Sequence, residues 1–268
     1  MVTFAETIKF AVRQIAPPSL YSAVSLWRAS RRSLQAAERP HVPQPLSCSP
    51  RPSFRAAQED AGRSYNDPNL CGAFSDQVPL DDLRDFDAPI LAAVALAALR
   101  KKGAEINVLD FGGGAGRMKA VVSSYFKECV EERWTVVETE EQVAANEGVK
   151  SSKIRFLREI EPLRYDLALF SGSLQYLSDW KTPLAAASQS DLIMICRTPF
   201  SDREQPFVQS VARDGYIYKL AARVIAKDEI AAALSPTHNL LASWKLEQHL
   251  FEMGVHESPS ILWQRKIL

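Results

Sequence analysis

The sequence predicts an α/β protein of the doubly wound type, with a mostly parallel sheet and a helical extension at the N-terminus, and three observations predict it. Short apolar runs of strand length recur through the middle of the chain and alternate with segments of helical period: Ile106 to Leu109, Trp134 to Val137, Ile154 to Leu157, the run from Tyr165 to Phe170, and Leu192 to Cys196. The first run ends in Asp110 and passes at once into Phe111-Gly112-Gly113-Gly114-Ala115-Gly116-Arg117, a glycine cluster. Beyond it Met118, Val121, Val122, Tyr125, Phe126 and Cys129 repeat at i, i+3, i+4 and i+7, so strand, turn and helix follow without a gap.

Taken in order, residues 1 to about 35 read as two helical pieces broken at Pro17-Pro18, with Phe4, Ile8, Ala11 and Ile15 at helical spacing. Arg28, Arg31 and Arg32 crowd the end of the second piece, where cations favour a helix C-terminus. We read a surface helix; the alternative is a basic amphipathic arm in peripheral contact with a membrane or an acidic partner. Pro40, Pro43, Pro45, Pro50 and Pro52 mark a linker or long surface loop, which sets the expected boundary between an extension over 1–52 and one domain over 53–268. Ser53 then opens a helical start, and Tyr65-Asn66-Asp67-Pro68 is turn-rich, read as a lid over a pocket or as edge packing.

The helix from Asp87 to Arg100 carries Pro89 in its first turn, Arg100-Lys101-Lys102 at its end and Gly103 as a stop. The second strand, Trp134 to Val137, ends in Glu138, and Thr139 with Gln142 forms a capping box for a short helix that stops at Gly148. The third strand runs into Arg158 and Glu159. A buried fourth strand opens at Ser171-Gly172-Ser173-Leu174-Gln175-Tyr176-Leu177 into a loop and a helix, and Asp166 at its start is read as structural. Arg197-Thr198-Pro199-Phe200 leaves the fifth strand on the side of the glycine turn. Gln209, Tyr216 and Tyr218 follow in an insertion read as a cover; Asp228 to Leu234 is a helix, and Leu240 to Leu246 and Ile261 to Leu268 are closing strands.

The glycine turn carries the chemistry. Glycines remove the Cβ where backbone must approach a ligand, and the next helix aims its N-terminal amides at the same place. Two cofactor patterns compete for it. The dinucleotide pattern Gly-x-Gly-x-x-Gly fails in both registers, at Arg117 when started from Gly112 and at Ala115 and Met118 when started from Gly113. The pattern acid-x-Gly-x-Gly-x-Gly is met in full by Asp110, Gly112, Gly114 and Gly116, and this resembles the first motif of class I S-adenosylmethionine-dependent methyltransferases. That donor has no pyrophosphate, but its ammonium gives the carboxylate of Asp110 a task. Glu138, at the end of the second strand, is placed to accept hydrogen bonds from ribose hydroxyls.

Together with Trp134 to Glu138, Asp166 to Leu177 and Arg197-Thr198-Pro199, the motif over residues 53 to 268 resembles a group of methyltransferases associated with bacterial surface-carbohydrate loci. The resemblance implies a Rossmann-like, seven-stranded, mostly parallel sheet with an antiparallel last strand. It also implies methyl transfer from S-adenosyl-L-methionine, with a place in polysaccharide biosynthesis. Asp110, Phe111, Gly112, Gly113, Gly114, Gly116, Glu138, Glu159 and Ser171 are the expected donor-binding residues, Glu159 by its place near the adenine amino group. Gln175, Tyr176, Arg197 and Phe200, at the carboxyl edge of the sheet, are the expected acceptor-binding residues.

The missing Asn/Asp-Pro-Pro-Tyr/Phe element favours oxygen or carbon as the acceptor atom. A hydroxyl acceptor needs a base. Of His41, His238, His249 and His256, all outside the motifs, His249 and His256 in the loop before the last strand are the pair to test. Zero net charge gives no nucleic-acid surface at the level of the whole chain, so a small molecule or glycan is the expected partner. Cys48, Cys71, Cys129 and Cys196 are irregularly spaced, without a zinc pattern, and read as thiols in a reducing, cytoplasmic setting. Lys9 and Arg13 interrupt the only N-terminal apolar run, so neither signal peptide nor membrane span is expected. A binding or scaffold protein that keeps the fold without turnover is the competing reading.

Overall fold

The computed structural model describes residues 47–62, 86–126, 129–148, 153–213, 216–245, 247–250 and 254–266. The expected N-terminal helices, the turn at Tyr65 to Pro68, His41 and Cys71 lie outside the described residues.

The principal sheet has seven strands: β2 (Ile106–Phe111), β3 (Glu132–Val137), β4 (Ile154–Leu157), β5 (Leu167–Ser171), β6 (Leu192–Cys196), β10 (His238–Trp244) and β13 (Ser260–Arg265). Their order is β10-β13-β6-β5-β2-β3-β4; counted within this sheet alone, that is 3-2-1-4-5-7-6 read from the β4 edge. Strands β2 to β6 pair in parallel, and β13 is antiparallel to both β6 and β10. This is the expected Rossmann-like sheet with its antiparallel last strand. The chain steps outward from β2 through β3 to β4, then returns to add β5 and β6 on the other side. The order therefore reverses between β2 and β5, and in open sheets of this kind ligands bind beyond the carboxyl ends of the strands at such a point.

Strict alternation along the central strands divides their side chains between two cores. Val108, Val136, Leu167, Leu169 and Met194 face one cluster, with helices α2 (Asp87–Arg100) and α3 (Arg117–Phe126) laid over it through Ile90, Val94, Val121 and Val122. Leu109, Val137, Ala168, Phe170 and Ile193 face the other, covered by α5 (Lys181–Ala186) through Leu184 and by α6 (Lys227–Leu234) through Ile230 and Leu234. Ile90 and Val94 are fully buried, each contributing on the order of 2 kcal/mol of transfer free energy.

Local signals act as their chemistry requires. Helix α2 spans the expected residues and ends where Lys102 and Gly103 turn left-handed, at φ 52° and 86°. Asp166 accepts the Asn107 N–H at 2.8 Å and pairs with Lys101 at 3.3 Å, which fixes the start of β5 beside β2. The Thr139 hydroxyl accepts from Gln142 N–H at 3.4 Å and caps α4 (Glu140–Ala145), which ends three residues before Gly148. The Thr139 N–H is held by Glu138 at 3.0 Å. Beyond β5 the chain passes through a 3₁₀ turn, Leu174–Tyr176, and a short loop into α5.

A second sheet was not visible in the sequence. It has six strands in the order β1-β8-β9-β7-β12-β11: β1 (Ser47–Pro50), β7 (Phe200–Ser201), β8 (Gln205–Arg213), β9 (Tyr216–Ala226), β11 (Glu247–Leu250) and β12 (Gly254–Glu257). Strand β1 is drawn from the proline-rich stretch read as a linker; it lies at the sheet edge, with Pro50 at its end, where a missing N–H is tolerated. The insertion is thus the β8–β9 hairpin of this sheet. Val208 and Ala221 pack on α1 (Phe54–Ala61) through Phe54 and Ala57. Phe207, Ala222 and Val224 pack with Cys48 and with Tyr176 of the 3₁₀ turn, so this sheet meets the principal one at the carboxyl edge of β5.

Candidate functional site

The switch point is closed by glycines. Gly112, Gly114 and Gly116 have φ of 73°, 58° and 81°, a region that side chains rarely enter. A Cβ on Gly112 would lie 2.5 Å from the Ser173 Cβ, so the turn after β2 can touch the turn after β5 only without one. A Cβ on Gly113 would lie 2.5 Å from Asp110 Oδ2, because the carboxylate is folded beneath the loop. Gly112→Ala is therefore expected to lower stability by roughly 1–3 kcal/mol through strain and contact. Gly148→Ala, which meets nothing within 4 Å, serves as the control in the same thermal melts.

Asp110 is fully buried, and among the described residues neither carboxylate oxygen has a hydrogen-bond partner. Burial, and secondly the nearby charge of Glu138, push its pKa up to about 7. Glu138 lies across the loop, where it accepts the Gly114 N–H at 2.8 Å on one oxygen and the Thr139 N–H at 3.0 Å on the other. Burial raises its pKa as well, and those two backbone bonds act against the rise. The Ser173 hydroxyl is also buried without a partner among the described residues. A buried carboxylate and a buried hydroxyl, both unsatisfied, thus flank the glycine turn, and such groups ordinarily find partners.

Two arginines frame the turn. Arg117, the first residue of α3, makes a bidentate pair with Asp87, the first residue of α2, at 3.0 and 2.9 Å. Arg197 leaves β6 with φ 57°, and its guanidinium carbon sits 4.5 Å from the centroid of the Phe86 ring. It also rests on Gly172, where a Cβ would lie 3.4 Å from the guanidinium carbon. Cys196 before it is inert, its thiol pushed up to about 12 by burial.

The structure gathers Asp110, the glycines, Glu138, Ser171 and Arg197 at one edge; Ser171 is engaged by the Cys196 side chain. Other expected site residues take different positions. Gln175 is buried and braces the loop: its amide donates to the Arg197 carbonyl at 3.2 Å and its carbonyl oxygen accepts from Thr198 Oγ1 at 3.4 Å. The Tyr176 hydroxyl donates to Gln209 Oε1 at 3.0 Å, binding the turn to the second sheet. Phe200 is 3% exposed and belongs to the core beneath the principal sheet. These three side chains make internal contacts: Gln175 with the loop after β6, Tyr176 with β8, and Phe200 with the core of the principal sheet. Glu159 is exposed beyond the end of β4.

His249 and His256 are on β11 and β12, paired strands rather than a loop, with His256 opposite Gln248; the His249 side chain lies outside the described residues. His238 is structural, its ring nitrogens 2.8 Å from the Thr237 hydroxyl and 3.0 Å from the Ser190 carbonyl. The reading of the sequence missed Asp87, Arg117, Ser173 and Phe86. For Arg117 the signal was present, since an arginine follows the last glycine of the motif; its partner lies 30 residues upstream with nothing to mark it.

No protein-family model and no curated protein sequence matches the chain. Among solved structures, it is similar to an S-adenosylmethionine-dependent methyltransferase from Clostridium acetobutylicum ATCC 824, at 15% identity and a TM-score of 0.49, over 74% of this chain and 99% of that one. It is similar also to the N-methyltransferase NodS from Bradyrhizobium japonicum WM9 in complex with S-adenosyl-L-homocysteine, at 15% identity and a TM-score of 0.45, over 80% and 98%. A third is the sugar N-methyltransferase KedS8 from Streptoalloteichus sp. ATCC 53650, at 15% identity and a TM-score of 0.42, over 69% and 89%. The fold rests on the chain's own strand order: a Rossmann-like sheet with an antiparallel last strand and a glycine turn at its switch point.

Proposed function

We propose that this chain transfers a methyl group from S-adenosyl-L-methionine to a small-molecule or glycan acceptor, at oxygen. The observation that carries the reading is the buried, unpartnered carboxylate of Asp110 beneath a three-glycine turn whose middle N–H is held by Glu138. An ammonium group supplies what Asp110 lacks, directly or through water, whereas the anionic pyrophosphate of a dinucleotide would be repelled by a carboxylate there. Glu138 has its oxygens fixed by backbone donors and keeps lone pairs for vicinal hydroxyls. Gly112, Gly113, Gly114 and Gly116, with Phe111, form the floor of the site in this reading. Ser173 joins them through its free hydroxyl. A sulfonium donor brings an already activated methyl group, so the protein's own contribution is alignment and, for a hydroxyl, a base.

His256 is the first base to test, since its neighbour Glu257 pairs with Phe200 at the exit of β6. A place in surface-carbohydrate synthesis and a cytoplasmic location accompany this reading. No helix among the described residues is long and apolar enough to cross a membrane. A second reading, a donor-binding scaffold without turnover, is favoured by Gln175, Tyr176 and Phe200, which hold loops together instead of facing an acceptor.

Calorimetry separates the cofactors: saturable binding of S-adenosylhomocysteine and none of NAD is the expected result, and the reverse would overturn the proposal. Mass spectrometry of extracts incubated with the protein and isotopically labelled donor then separates enzyme from scaffold. Label appearing in an extract component marks turnover; donor binding without any transferred label supports the scaffold.

A further inference from the structure

We propose that Arg197 anchors an anion subsite at the carboxyl edge of the sheet, taking a carboxylate or phosphate of a bound ligand. The proposal rests on the methyl-transfer reading and adds the charge of what the site holds.

The backbone is the first observation. Arg197 and Lys102 are the non-glycine residues with left-handed φ among those described, at 57° and 52°. Lys102 closes a helix, an ordinary use of that conformation. Arg197 has no such reason, and a left-handed side chain costs roughly 1–2 kcal/mol. It persists because its surroundings over-determine it. Every carbonyl from 196 to 199 is taken: Cys196 by Gly172 N–H at 2.9 Å, Arg197 by the Gln175 amide at 3.2 Å, Thr198 by the Ser258 hydroxyl at 3.3 Å, and Pro199 by Ile225 N–H at 2.9 Å. Three separate elements hold this peptide in a conformation that its sequence disfavours.

The side chain is the second observation. Its guanidinium lies over the Phe86 ring, 4.5 Å from the centroid, and against Gly172, which leaves room for it by having no side chain. One flat face is covered, so the N–H edge is presented in a set direction, which is how arginine binds planar oxyanions with two parallel bonds. Among the described residues no carboxylate pairs with it, and the side chain is exposed. Other arginines at this edge are used internally: Arg117 by Asp87, and Arg223 by Glu204 and the carbonyls of Leu177 and Ser178. Arg197 is thus a held, charged and unspent donor, and it rests on Gly172, the residue before Ser173, which faces Gly112.

The anion has two sources in this reading: the methionine carboxylate of the donor, or an acid group on the acceptor. Nuclear magnetic resonance on the full chain distinguishes them, using the Arg197 Nε–Hε signal assigned by its loss in Arg197→Gln. The probes are S-adenosylhomocysteine against methylthioadenosine, which lacks the amino-acid part, and then glucuronate and glucose 6-phosphate against neutral glucose with S-adenosylhomocysteine present. Movement with S-adenosylhomocysteine and not methylthioadenosine assigns the anion to the donor. Movement with either sugar acid and not glucose assigns it to the acceptor. In either case Arg197→Gln is expected to weaken the anionic probe roughly tenfold or more, and Arg197→Lys by less, since lysine keeps charge and loses the fork. A signal that moves with none of the anions overturns the subsite. Failure of the wild-type chain to bind S-adenosylhomocysteine in calorimetry overturns the methyl-transfer reading alone, because the sugar-acid comparison can be run without the donor.

Discussion

Asp110→Asn is expected to stabilise the ligand-free protein at pH 8 and to remove most of the pH dependence of donor affinity near neutrality. The folded-state pKa of Asp110 is about 7 against an ordinary 3.8, raised by burial and then by Glu138. Between those values the native state keeps a proton that the unfolded chain has released, so stability falls as pH rises. The contribution of the neutral acid is whole below about pH 4 and is lost as pH climbs through about 7. Removing the charge should return on the order of 2–4 kcal/mol at pH 8 and progressively less toward pH 4, roughly 5–10 °C at the upper end.

A bound ammonium acts in the opposite direction, because it favours the ionised carboxylate. Affinity for S-adenosylhomocysteine is therefore expected to rise roughly tenfold from pH 6 to pH 8 in the wild type, and to be weaker and nearly flat in Asp110→Asn. Glu138 titrates beside it and leaves a residual slope in both proteins. Equal slopes in the two, measured by calorimetry at several pH values, would remove Asp110 from the donor site.

Asp87→Ala is expected to cost about 3–5 kcal/mol in urea unfolding, the usual result of leaving a buried partner charge alone. Asp87 is fully buried and the Arg117 side chain is 18% exposed, so little water can replace the lost carboxylate. The Arg117 Nε is already buried without a partner. An arginine at a helix N-terminus also opposes the macrodipole, and Asp87 offsets that penalty as well as the charge. Because the pair joins the first residues of α2 and α3, its loss should loosen the glycine turn and weaken donor binding in the same variant. The double variant Asp87→Leu with Arg117→Met should recover most of the stability, since a packed apolar pair needs no desolvated charge. Additive losses in the double variant would show that the two side chains are not coupled.

The principal sheet was readable in the sequence because its signals are local. Apolar runs, an acid at a strand end, alternate glycines and a helix stop at Gly103 each act within a few residues, and the observed strands keep to them. That Asp110 and Glu138 lie beside the glycine turn was legible for the same reason: a carboxylate at the end of a buried strand has few places to go. What the linear chain did not carry was the second sheet, which joins β1 to β8 through Ser47↔Ser210 and links β9 to β12 through β7, a strand of only two residues. Pairing of that kind depends on which edges remain open once the core has formed, and no periodicity records it.

That sheet then decided the direction of individual side chains. Gln175, Tyr176 and Phe200 were read on the correct edge, yet β8, β9 and the loop after β6 take up their polar and apolar surfaces, while Arg197, held by Gln175 and stacked on Phe86, keeps its charge outward. The sequence by itself determined the layers, the order of helix and strand, and the turn where a ligand can approach backbone, since these follow from hydrophobic period and from the lack of a Cβ. Tertiary structure alone decided which polar groups are spent on one another and which are left over, because burial and hydrogen-bond partners arise only when residues distant in the chain are brought to the same few ångströms.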